Sequence, residues 1–162
     1  KPMGNGIPIS GLAAKEDVLA AFSDKLPYFN TFGGNPVSIA AAQAVLKYIK
    51  EENLQEHCKK AGAALLKALK EVQERHPESV GDVRGAGLFL GFEFVKNDGN
   101  KTPDKDMALN VIEMLRDEHI LTSVIGHYGN ILKLRPPMVF SENDIDWFAT
   151  SLDKCITKLE NK

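Results

Sequence analysis

Two short stretches, Lys1-Pro2-Met3-Gly4-Asn5-Gly6 and Asn30-Thr31-Phe32-Gly33-Gly34-Asn35-Pro36, decide how this chain is read. The first offers an amine beside a glycine-rich turn. The second offers a hydroxyl and backbone N–H groups just before a helix, because Asn35 suits an N-cap and Pro36 the first helical position. An amine condenses with an aldehyde, and a helix N-terminus holds an anion, so the pair suits a ligand carrying both an aldehyde and a phosphate.

Working outward, Ile7–Ala14 reads as a short buried strand, residues 15–25 as a polar helical turn, and 26–34 as an aromatic loop. A helix is expected from Pro36 to about Lys50. A second helix carries Leu54, Cys58, Ala61, Leu65, Leu69 and Val72 on one stripe and ends at His76-Pro77. Beyond Pro77, Leu88–Val95 is strand-like, Thr102-Pro103 opens a helix, and Ile120–Val124 and Ile131–Leu134 are two short strands joined through a Gly126–Gly129 turn. Ser141-x-x-Asp144 reads as a capping box before a last helix. The order β-α-β-β-α implies a small sheet with helices on one face. The expected division is residues 1–77, a strand remnant with two long helices, and 78–162, a compact α+β domain.

Composition bounds the function classes. The chain has 162 residues, 43% hydrophobic and 26% charged, with net charge −2 and the two signs interleaved. That is globular composition, and it gives no reason to expect nucleic acid or a membrane as partner. The two cysteines, Cys58 and Cys155, fall on apolar helix faces and read as a buried, reduced pair in a cytoplasmic protein. His57, His76, His119 and His127 show no metal-ligand spacing, so no metal site is assigned. Gly85-Ala86-Gly87 with Gly91 looks like a dinucleotide loop, but its spacing is one residue too long and it leads into a strand, so that reading is rejected.

Lys1 with Gly4-Asn5-Gly6, the Thr31–Pro36 segment, Arg84-Gly85-x-Gly87-Leu88 and Lys133-Leu134-Arg135-Pro136-Pro137 together resemble the class III (ω-type) aminotransferases. The resemblance covers the whole chain and implies the C-terminal portion of a fold type I enzyme that uses pyridoxal 5'-phosphate. It implies Lys1 as the catalytic lysine that carries the cofactor, and Thr31 as a hydrogen-bond donor to the cofactor phosphate of the neighbouring subunit in a homodimer. Arg84 is expected to be structural.

Strand alternation puts Lys133 and Arg135 on one face, which by itself fits two solvated cations on an edge strand; the resemblance implies that they are a substrate-binding pair. In many members of the family an arginine stands three residues before the Pro-Pro pair and grips the substrate carboxylate. Lys133 occupies that position here, and a lysine lacks arginine's bidentate fork. The implied activity is amino-group transfer from an amine or amino acid of the 4-aminobutyrate/ornithine-like class to a 2-oxo acid. Two alternatives stay open: a phospho-lyase acting on a phosphorylated amino alcohol, favoured by Lys133, and a non-catalytic assembly module.

Overall fold

The computed structural model describes residues 2–161, so Lys1 lies outside the described residues. Two compact units divide the chain, Lys1–Asn53 and Leu54–Lys162.

The first unit holds α1 (Glu16–Ser23) and α2 (Pro36–Glu51). The expected strand over 7–14 does not form: these residues take no regular secondary structure and pair with no strand among the described residues, and Leu12 is 84% exposed. A strand needs neighbours to satisfy its backbone groups, and this segment has none within its unit. Asn35 caps α2 as its sequence demands, accepting the Ser38 N–H at 2.9 Å, with Pro36 in the first turn.

The second unit is built on a four-stranded antiparallel sheet, ordered β1 (Val80–Ala86), β2 (Phe89–Phe94), β4 (Ile131–Leu134), β3 (Ser123–Ile125). Its helices are α3 (Leu54–Arg75), α4 (Lys105–Asp117) and α5 (Glu142–Glu160). α3 packs on β1, α4 on β2, β3 and β4, and α5 on α3 and α4. Phe92, Phe94, Leu132, Leu69, Val111 and Leu152 are wholly buried in the core between these layers. Ser141 and Asp144 form the expected capping box on α5.

Two further features depart from the sequence reading. The strand Val80–Ala86 was not expected, and it places a second hairpin before α4. The second helix, expected to belong with the preceding arm, packs on β1 and α5 instead, so the compact unit begins at Leu54 and not after Pro77. Its stripe of Ala61, Gly62, Leu65, Leu69 and Val72 explains why: that face is buried against the sheet and α5. Gly62 sits where α3 crosses the β1–β2 hairpin, and a Cβ there would lie 2.2 Å from the Gly87 carbonyl. Gly87 (φ +53°) opens the two-residue Gly87-Leu88 turn, as a glycine-first hairpin turn requires.

Candidate active site

In the first unit residues 6–10, which follow the first stretch, face the loop of the second. The turn after Lys1 is closed by the Asn5 N–H donating to the Pro2 carbonyl at 3.0 Å and the Ile7 N–H to that of Gly4 at 3.2 Å. Asn5 (φ +47°) and Gly6 (φ +110°) are both left-handed, which reverses the chain toward Ile7–Ser10. Opposite, the Asn30 side chain accepts the N–H groups of Phe32 at 3.2 Å and Gly33 at 3.1 Å, and Asn35 Nδ2 donates to the Phe32 carbonyl at 2.9 Å. These bonds shape the loop that carries Thr31. A cleft of about 690 Å³ lies between, lined by Gly6–Ser10 on one side and by Asn30, Phe32, Gly33, Gly34, Asn35 and Ser38 on the other.

Thr31 is exposed, and its hydroxyl has no hydrogen-bond partner among the described residues. A Cβ at Gly34 would meet nothing within 4 Å, so the approach to the loop is open. A free hydroxyl beside an open glycine turn at a helix N-terminus is a donor set that fits a phosphate.

In the second unit, Lys133 and Arg135 line a cleft of about 580 Å³ with Pro136, Phe140, Trp147 and His119. Lys133 pairs in register with Gly91 on β2 and Ser123 on β3, and the Thr122 hydroxyl donates to its carbonyl at 3.2 Å. Gly91 pairs in turn with Arg84, so Arg84 and Lys133 flank a position without a side chain.

The two flanking cations differ in their partners. Arg84 bonds Glu93 at 2.5 Å and Asp82 at 2.6 Å, which hold its guanidinium above its already high ordinary value despite partial burial. It is spent on the sheet. Neither Lys133 nor Arg135 has a carboxylate within 4 Å among the described residues, and Arg135 instead lies over the Phe89 ring, 5.7 Å from its centroid. Two cations without a carboxylate partner among the described residues thus line one cleft and give it positive potential.

Phe89 and Trp147 carry no distinguishing signal in the sequence. Phe89 looks like one more apolar residue in LFLGFEFV, and only the register sets it outside. Trp147 lies on the outer side of the α5 stripe, where an isolated aromatic carries no periodic signal. Burial pushes the Cys155 thiol up, in keeping with an inert core residue, and Cys58 is also free. No described helix is long and apolar enough to cross a membrane.

The small antiparallel sheet with helices on one face is the architecture of the C-terminal part of fold type I pyridoxal-phosphate enzymes, and the solved structures it resembles are of that class. Residues 1–156 match the family described as aminotransferase class III, and the chain belongs to it. Among curated relatives it is 44% identical to ethanolamine-phosphate phospho-lyase homolog 1 of Caenorhabditis elegans, over 97% of this chain and 34% of that protein. It is 40% identical to an alanine–glyoxylate aminotransferase 2-like protein of Drosophila melanogaster, over 97% of this chain and 32% of that one. Among solved structures it superposes on a phospholyase from Arthrobacter in complex with phosphoethanolamine. The TM-score is 0.89 at 38% identity, covering 97% of this chain and 37% of that one. The chain thus spans about a third of the length of these relatives. The family's cofactor is pyridoxal phosphate, and the Thr31 loop fits its phosphate end; the catalytic lysine expected at Lys1 lies outside the described residues.

Proposed function

We propose that this chain is part of a class III pyridoxal-phosphate enzyme that eliminates phosphate from a small phosphorylated amino alcohol. The observation that carries this reading is the pair of uncompensated cations, Lys133 and Arg135, on one cleft, with a lysine where a carboxylate-gripping arginine is expected. The similarity to a phospho-lyase and to a phospholyase seen with phosphoethanolamine supports it.

The cofactor, when bound, supplies an electron sink for charge developing at the substrate carbon next to nitrogen. The chain's own residues do the rest. The Lys1 amine moves the proton at that carbon, Thr31 donates to the cofactor phosphate, and Lys133 with Arg135 holds the substrate's anionic end. For phosphoethanolamine the carbon–oxygen bond to phosphate breaks, and water then releases ammonia and acetaldehyde.

Amino-group transfer to a 2-oxo acid is the second reading, favoured by the similarity to an aminotransferase 2-like protein. The full-length enzyme given phosphoethanolamine should release inorganic phosphate in step with acetaldehyde. Keto product from an amino acid and a 2-oxo acid, with no phosphate release, would decide for transfer.

The same reading includes a homodimer in which Thr31 serves the neighbouring site, supported by the exposed apolar residues Phe29, Phe32 and Val37 around it. It includes a cytoplasmic setting, which the free thiols of Cys58 and Cys155 support. The chain by itself is expected to be inert, since Lys1 and the Thr31 loop alone hold a cofactor weakly and positioning supplies much of an enzyme's rate.

A further inference from the structure

Phe89 opens β2, and its three buried strand-mates Leu90, Phe92 and Phe94 face the helices. Phe89 faces the other way and is 58% exposed. Burial therefore does not account for an aromatic residue here. The β2–β4 ladder ends at Leu90 opposite Leu134. Continuing that register one step sets Phe89 opposite Arg135, on the face that carries Lys133.

The guanidinium carbon lies 5.7 Å from the ring centroid, inside the range of a cation–π contact. Arg75, Arg84 and Arg116 are each held by a carboxylate, at 2.7 Å from Asp153, 2.5 Å from Glu93 and 2.5 Å from Glu113. Arg135 is held by a ring. The difference matters chemically, because a carboxylate would neutralise the charge that an anionic substrate needs, whereas a ring face fixes the guanidinium and leaves its N–H groups free. Both ends of the contact are anchored: Phe89 by the Gly87-Leu88 turn, and Arg135 by the Pro136-Pro137 pair that follows it.

Resting on the reading that Arg135 grips the substrate's anionic group, we propose that Phe89 is a positioning residue for substrate binding, holding the Arg135 guanidinium over its ring face so that the charge stays available to the substrate.

The test is steady-state kinetics of the full-length enzyme with phosphoethanolamine, or with L-alanine and a 2-oxo acid if that pair turns over better. Phe89→Leu should raise KM about fivefold, the size of an exposed cation–π contact, with kcat within about twofold and the thermal midpoint unchanged. Phe89→Tyr, which keeps the ring face, should restore KM to within about twofold of the parent. Arg135→Gln should raise KM further, and adding Phe89→Leu to it should change nothing more, because there is no longer a charge to position.

If Arg135→Gln raises KM while Phe89→Leu does not, or if Phe89→Tyr fails to rescue, the positioning role is wrong and the substrate reading stands. If Arg135→Gln leaves KM unaltered, or neither substrate turns over, the substrate reading fails and takes the positioning role with it.

Discussion

Lys133 and Gly62 show two ways a single residue sets what the second unit does. Lys133 stands beside Gly91 and is one of the residues lining the cleft. Lys133→Arg would restore a planar fork at that place, and should shift the ratio of catalytic efficiencies toward α-carboxylate substrates and away from phosphorylated amino alcohols. The shift should amount to about 1–3 kcal/mol, measured on the full-length enzyme with one substrate of each kind. An unmoved ratio would make Lys133 a solvated strand residue. Gly62 acts through space that must stay empty. On helix propensity alone Gly62→Ala should stabilise α3 by about 1 kcal/mol. The Gly87 carbonyl 2.2 Å from the new methyl reverses the sign. A net loss of about 1–3 kcal/mol is expected from denaturant titration, and a gain would mean that the hairpin can move aside.

At the scale of elements, the end of α3 is clasped to the end of α5 by side chains. Arg75 Nε donates to Asp153 at 2.7 Å, the His76 ring nitrogens lie 2.7 Å from Glu160 and 3.2 Å from Asp153, and the Ser79 hydroxyl donates to Glu160 at 2.6 Å. Burial pushes the Asp153 carboxyl up, but Arg75 and then His76 outweigh it and hold it below the usual carboxylate range. A carboxylate with a depressed folded value gives its full stabilisation above its unfolded value of ~3.9, and loses it as pH falls through the lower folded value. Asp153→Asn should therefore lower the unfolding midpoint at pH 7 and at pH 5, with the gap to the parent closing toward pH 3. A gap that does not narrow at all as pH falls below the unfolded value would assign the loss to packing. The elements themselves were unevenly legible. α2, α5 and their caps follow from Asn35-Pro36 and Ser141-x-x-Asp144, since capping is local chemistry. β1 was invisible because a bulge between Val80 and Asp82 breaks the alternation and leaves Val80 and Val83 as its buried residues. The segment 7–14 misleads for the opposite reason: its apolar run is real, but its own unit supplies no strand partner among the described residues. In the site, Thr31, Lys133 and Arg135 could be picked out as residue types in a pattern, whereas the Phe89 contact exists only through cross-strand register.

For the molecule as a whole, the two units should behave differently when separated. Residues 54–162 carry one continuous core between the sheet and its helices, so this piece alone should unfold in one cooperative thermal transition and sediment as a monomer. Residues 1–53 expose Leu12, Tyr28, Phe29, Phe32 and Val37, so the complete chain should self-associate at tens of micromolar, on the order of ordinary assay concentrations. Sedimentation giving monomer for both would show that those apolar residues are covered within one chain. A last consequence concerns where the second unit tolerates added length. The Gly87-Leu88 turn is tied at one end to Gly62 and at the other to the residue facing Arg135. One extra residue there must break the helix contact or slide Phe89 to the other face. Residues 97–102 are exposed and touch neither, so they can grow at little cost. An insertion scan read by soluble yield and KM should find the short hairpin intolerant and the 97–102 loop permissive, which marks the loop as the place to attach a probe or a fused domain.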